Sequence, residues 1–348
     1  MRRLLLVLAL LAGGCLERPF VCANNGQCRY EGRQGTCEAD RRCSFPDGSC
    51  PSGRRYADFG TNARCVGATA ACGAAGEACC AKDTCQAGLS CTSGRCACTV
   101  ATASGGDAHT CVALAHGKVL CWGQNTSGQL GDGTVLSRAT PAEVPGLPTA
   151  TAVIAREAHS CALLADRTVS CWGGNTRGQL GDGTVATRPS PVSVTRLPQL
   201  GPVVELVAGA RHVCARLEDG QVACWGDDNR GQLGDGKTVE RPLPELVPGL
   251  RGVRGLAAGD EFSCAIGADL RVVCWGDNLR KQIDGSTETF VPSPRDVGVT
   301  GAVELVAGAS HACARTNDGG VTCWGWNASG QLGRGDTAAL LPPGAVSM

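Results

Sequence analysis

The sequence predicts an all-β protein: a β-propeller of about five four-stranded blades, preceded by a small disulfide-rich, loop-dominated N-terminal region. Three observations predict this. A phrase running from His-x-Cys, or Phe-x-Cys in the fourth copy, to Cys-Trp-Gly occurs five times after residue 98, with first cysteines at 111, 161, 214, 264 and 313. The steps of 50, 53, 50 and 49 residues fit one four-stranded blade rather than a pair of helices. Finally, 24 of the 348 residues are cysteine and 50 are glycine, a composition that points to an oxidising compartment and disulfide staples rather than to a cytoplasmic enzyme.

Taken in order, residues 1–14 read as a lipoprotein-type signal peptide. Arg2 and Arg3 form a basic start, Leu4 to Leu11 an apolar run of eight too short to span a bilayer, and Leu11-Ala-Gly-Gly-Cys15 looks like a bacterial lipobox. Cys15 is the expected lipidation site. An ordinary secretory signal, with Cys15 as one more disulfide cysteine, is the alternative. Residues 15–71 form a cysteine-rich module in which Cys22, Cys28, Cys37, Cys43, Cys50 and Cys65 allow three bridges in fifteen connectivities. Residues 72–98 hold seven cysteines, and the order Cys72, Cys79-Cys80, Cys85, Cys91, Cys96 looks like a knottin or colipase-type framework. Cys98 is the odd one out. Neither segment has enough apolar pattern to form a core, and neither has the paired Cys-x2-Cys knuckles of a zinc site, so no metal is expected.

Residues 99–348 are the repeats. Each copy contains a valine-rich strand such as Val203 to Gly209, a hairpin, a glycine loop and a further strand of Pro-x-x-Val type. The two cysteines of each copy lie ten apart, so a symmetric hairpin that sets them opposite one another leaves a three-residue loop. Glycine takes the third, left-handed place of that loop at Gly117, Gly220 and Gly319, whereas Arg167 and Leu270 take it in the other two copies, where the turn must be strained or built differently. Facing cysteines at a non-hydrogen-bonded pair are within disulfide range. The expected pairs are Cys111–Cys121, Cys161–Cys171, Cys214–Cys224, Cys264–Cys274 and Cys313–Cys323.

The phrase Trp122-Gly-Gln-Asn-Thr-Ser-Gly-Gln-Leu-Gly-Asp-Gly133, echoed from Trp172 and Trp225, resembles the regulator of chromosome condensation repeat. The resemblance covers all five copies and implies blades around a central channel, with Trp122, Trp172, Trp225, Trp275 and Trp324 in the core and His109, His159, His212 and His311 as structural residues. The fourth copy departs most, having Lys281-Gln-Ile-Asp284 for Gly-Gln-Leu-Gly and Phe262 for histidine. Five copies are fewer than the seven typical of the family. Closure within one chain is nevertheless expected, because an open end exposes a strand edge.

No catalytic constellation and no cofactor are expected. Gly231 to Thr238 fits the phosphate-loop pattern, but the same loop recurs at Gly128 and Gly178 without the lysine, and no helix is due after it. Arg334-Gly335-Asp336 falls in the same glycine loop. Asp132, Asp182 and Asp235 are expected in solvent-facing loops, and Trp326 is the one tryptophan outside the repeat. The net charge is zero overall, and residues 99–348 carry 20 Lys+Arg against 24 Asp+Glu, which disfavours nucleic acid. The reading is an exported, lipid-anchored, monomeric surface protein whose propeller binds a protein or glycan without catalysis, held to the membrane by its N-terminal lipid. The alternatives are inhibition of a secreted enzyme, a role that exported β-lactamase inhibitors similar to this propeller type suggest, the guanine-nucleotide exchange or chromatin role that the family name suggests, and, last, an envelope hydrolase or lyase.

Overall fold

The structure is a computed structural model that describes residues 99–347 in full and, before them, only the backbone of short strands between residues 29 and 97. Cys15 and the N-terminal disulfide connectivity lie outside the described residues. The chain divides into two units, Met1–Thr99 and Val100–Met348. In the first, Thr36–Cys37, Cys43–Pro46, Arg54–Tyr56 and Cys65–Val66 pair as a small antiparallel sheet.

The second unit holds five sheets of four antiparallel strands each, in which every strand pairs with its sequence neighbour. Blade 1 comprises Val100–Gly105, His109–Leu114, Val119–Gly123 and Arg138–Glu143. Blade 2 comprises Ala150–Arg156, His159–Leu164, Val169–Gly173 and Arg188–Ser193. Blade 3 comprises Val203–Ala208, His212–Leu217, Val222–Gly226 and Arg241–Leu246. Blade 4 comprises Gly255–Ala258, Phe262–Ile266, Val272–Asp277 and Phe290–Asp296. Blade 5 comprises Ala302–Ala307, His311–Thr316, Val321–Trp326 and Leu340–Ala345.

The middle two strands of each blade form the hairpin read from the cysteine spacing. Cys111 faces Cys121 in register, the same holds in the other four blades, and all five pairs are bonded, with Cα atoms 4.0–4.2 Å apart. The three-residue turn is the same in every blade. Arg167 and Leu270 adopt the left-handed conformation (φ 65° and 63°) that Gly117, Gly220 and Gly319 take at the equivalent places. The turn is therefore strained in two blades rather than rebuilt.

The hydrophobic core is divided among the junctions between blades. Four clusters of buried side chains each join one blade to the next: 1 to 2, 2 to 3, 3 to 4 and 4 to 5. At each junction the tryptophan of the later blade is fully buried against the glycine loop of the earlier one, and its indole donates to a glutamine carbonyl there. The bonds are Trp172 Nε1 to Gln129 O (2.9 Å), Trp225 to Gln179 (3.0 Å), Trp275 to Gln232 (2.9 Å) and Trp324 to Gln282 (2.9 Å). The shortened loop of blade 4 keeps this arrangement, with Lys281 at φ 58° where the other copies have glycine and Ile283 buried where they have leucine.

The expected closure of the ring is not seen among the described residues. Trp122 of blade 1 is only half-buried, and among the described residues its indole has no hydrogen-bond partner. Among the described residues Gln331 accepts no bond from that indole and no hydrophobic cluster joins blade 5 to blade 1, and Val303 and Val306 on the first strand of blade 5 are exposed. Each blade carries one half of a junction on either face, and among the described residues those at the two ends of the row are unmatched.

Candidate functional site

Residues that recur in every blade build the scaffold. His109 and His212 are buried, and each ring Nε2 lies 2.8 Å from a serine hydroxyl of the next blade, Ser160 and Ser263. Those hydroxyls donate in turn to the carbonyls of Gln129 (3.0 Å) and Gln232 (3.2 Å), which also accept from Trp172 and Trp275. The histidines therefore sit on the cysteine side of their strands and tie one blade to the next. Burial pushes the ring of His109 down to about 4 and those of His159 and His212 down to about 3, so all three are neutral. At the remaining junctions Val213 stands where the serine would be, leaving both nitrogens of buried His159 without a partner among the described residues, and Phe262 with Ala312 replaces the polar pair by an apolar one.

The aspartates expected to face solvent are part of the loop framework. Asp132 accepts from Asn125 Nδ2 (3.2 Å) and from the amide (3.0 Å) and hydroxyl (2.7 Å) of Thr134, and Asp182 does the same in blade 2. Asp235 pairs with Arg241. The phosphate-loop look-alike at Gly231 to Thr238 runs into the fourth strand of blade 3, not into a helix. Arg334 and Asp336 of the adhesion-type tripeptide are engaged within their own blade, the arginine on the carbonyls of Cys323 and Pro342 and the aspartate on Asn327. Trp326 is half-buried under the Arg280 guanidinium, 3.4 Å from the ring centre.

Several departures from the repeat gather in one place. The loops between first and second strands of blades 2 to 5 line a cavity of about 320 Å³. Consecutive first strands touch across blades, so these loops lie on the inner side of the row. In blade 3 the loop begins with Gly209, whose missing Cβ would stand 2.1 Å from the His212 ring. Blade 2 has Arg156 at that place, and Glu157 follows at φ 35°. Arg156 reaches over to Asp260 of blade 4 (3.3 Å), and Glu157 receives a two-pronged bond from Arg211 of blade 3 (2.8 and 2.9 Å). Asp227 and Asp277, each following the Cys-Trp-Gly phrase of its blade, and Glu261 complete an acidic wall. Asp277 is 6% exposed. Its Oδ2 accepts from Gln282 Nε2 (2.6 Å), while among the described residues its Oδ1 has no hydrogen-bond partner and the nearest cation, Arg230 Nε, is 3.8 Å away. Burial raises the carboxyls of Asp260, Glu261 and Asp277 above their ordinary values. The sequence shows these residues only as departures from the repeat, and the signal that finds them is that departure. No group of three or more His, Cys, Asp or Glu among the described residues is placed to hold a metal.

The fold has known counterparts. The chain is similar to human WBSCR16 (23% identity, TM-score 0.65, covering 72% of this chain and 67% of that one) and to Prp20p of Saccharomyces cerevisiae (24%, 0.63, 71% and 65%). At these identities the likeness is one of fold. A stretch of 50 residues is 44% identical to the human E3 ubiquitin-protein ligase HERC2, amounting to 14% of this chain and 1% of that protein's length. The RCC1-like domain profile (WD40_RLD) matches residues 63–347. With that match over most of its length, on five four-stranded blades joined by tryptophan and glutamine, the chain belongs to the RCC1-like domain family.

Proposed function

We propose that the protein is exported, is anchored to the cell envelope by a lipid on Cys15, and uses its propeller as a non-catalytic scaffold that binds a protein or glycan partner. The observation that carries this reading is the disulfide at the centre of each of the five blades, because such bonds form and persist in oxidising compartments. The acidic cavity supports a binding role. In a repeat scaffold the residues that hold the fold recur from copy to copy, and those that recognise a ligand are free to vary. Membrane fractionation with mass analysis of the mature N-terminus tests the location. A diacylglyceryl group on Cys15 in the membrane fraction is expected, and a cytoplasmic protein with reduced blade cysteines overturns the reading. Crosslinking of the native protein on cells, followed by identification of adducts, tests the binding role. A secreted enzyme among the adducts would place the protein with the inhibitors.

A second reading has one observation in its favour, the likeness in fold to Prp20p, a protein with binding properties to Gsp1p and histones. Acceleration of nucleotide release from a small GTPase by the purified protein would support it. The acidic balance of the propeller and the disulfides in every blade weigh against it.

A further inference from the structure

We infer that the cavity between blades 2 and 5 receives the cationic end of an arginine or lysine side chain presented by a protein partner. This deepens the binding role proposed above and rests on it. Five carboxylates line the cavity, and three guanidinium groups reach them. Two of those guanidiniums are committed: Arg211 to Glu157 by two bonds, and Arg156 to Asp260. The third, Arg230, stands 3.7 Å from Glu261 and 3.8 Å from Asp277, beyond hydrogen-bond reach of either. The wall formed by Asp227, Glu261 and Asp277 therefore shares one guanidinium at ion-pair distance and, with five carboxylates to three guanidiniums, the cavity keeps a surplus of negative charge.

Asp277 Oδ1 gives this surplus a direction. A buried carboxylate oxygen without a donor is costly, and proteins retain one where something else supplies the donor. The scaffold does not require a carboxylate here. The equivalent position is Gln124 in blade 1, Gly174 in blade 2 and Trp326 in blade 5, and those blades fold on the same register. The Gln282 side chain holds Oδ2 and so fixes the carboxylate, leaving Oδ1 available to an incoming group. An N–H donor bearing positive charge meets both needs at once, neutralising the wall and satisfying the oxygen. The choice between a metal ion and an organic cation follows from placement, since no three acidic or imidazole groups converge as ligands among the described residues. About 320 Å³ accommodates a guanidinium or ammonium head with its methylene stem.

The test is calorimetric titration of the oxidised full-length protein with Nα-acetyl-L-arginine amide and Nα-acetyl-L-lysine amide. The uncharged Nα-acetyl-L-citrulline amide and calcium chloride serve as the other two arms. Saturable binding of the cationic amides that weakens with added salt is expected, with no binding of the citrulline compound. Asp277→Asn keeps an oxygen for Gln282 and is expected to weaken the cationic amides by about tenfold or more with an unchanged melting temperature. Glu261→Gln, at a half-exposed position that the fold does not use, gives a smaller loss in the same direction. Binding of citrulline amide as tight as that of arginine amide, binding unaffected by either substitution, or calcium binding at the same site overturns the inference. These titrations involve no partner protein, so their failure removes the cation site alone, while failure of cell-surface crosslinking removes the binding role.

Discussion

Asp228 stands where the other four blades carry Asn125, Asn175, Asn278 and Asn327. In blade 1 the asparagine both accepts, from Leu130 N (2.9 Å), and donates, to Asp132 (3.2 Å) and to the carbonyls of Thr134 (3.1 Å) and Leu136 (3.2 Å). Asp228 retains the accepting half, from Leu233 N (2.9 Å) and Val239 N (3.1 Å), but an ionised carboxylate has nothing to donate. Burial, with Asp235 nearby, pushes its carboxyl up to about 7. Between the ordinary carboxylate value and about pH 7 the folded protein holds a proton that the unfolded chain has released, so raising pH through that window removes stability. The buried histidines act in the opposite sense. The unfolded chain takes up protons below about 6.5 that the folded rings refuse, so stability falls on acidification from there towards pH 3–4. The two effects oppose one another between about pH 4 and 7, and three rings outweigh one carboxyl, so stability is expected to rise from pH 4 to about neutrality, less steeply than the histidines alone would make it. Asp228→Asn should steepen that rise and stabilise the protein at pH 8 by about 1–3 kcal/mol, as read from melting curves at pH 5 to 8.

At the scale of the element, the repeated hairpin offers internal controls. Arg167 and Leu270 adopt the backbone conformation that costs an L-residue about 1 kcal/mol and glycine nothing. Arg167→Gly loses only an exposed ion pair with Glu218, and a gain of about 1 kcal/mol in denaturant unfolding is expected. Leu270 packs against the core between blades 4 and 5, so Leu270→Gly should show no gain, the lost burial offsetting the relieved strain. Replacing Cys161 and Cys171 together by alanine is expected to cost about 2–3 kcal/mol, measured in the same way, since their bond closes a short loop in the unfolded chain. Strand order, hairpin register and cysteine pairing were legible in the sequence because each depends on residues close along the chain. The histidine partners were not. They lie about fifty residues away on the next blade, and only the fold shows that Ser160, Val213, Ser263 and Ala312 occupy the same place.

For the whole molecule, the open row is the feature that single copies could not disclose. Trp122 repeats the phrase as faithfully as Trp172 does, yet one is half-buried and the other fully buried, because the burial of each tryptophan is decided by a different copy. Each junction fixes the angle between neighbouring blades through the same indole-to-carbonyl bond, and among the described residues the five blades make four such junctions. Acrylamide quenching should resolve two accessible tryptophans, Trp122 and Trp326, and four protected ones. Trp122→Phe should remove an accessible component that Trp172→Phe leaves in place. Protection of Trp122 in the native protein would show that its face is covered.

The junction residues also restrict the order of the blades. His109 meets Ser160 and His212 meets Ser263, Phe262 meets Ala312, and His159 meets Val213, so two of the three imidazole edges are matched by a hydroxyl and the phenyl edge by a methyl group. Exchanging blades 4 and 5 in a shuffled gene would set Ala312 beside His212 and strip that ring of its partner. Blades of nearly identical outline are thus not freely interchangeable parts: an edge that carries a buried polar group restricts which neighbour it can accept.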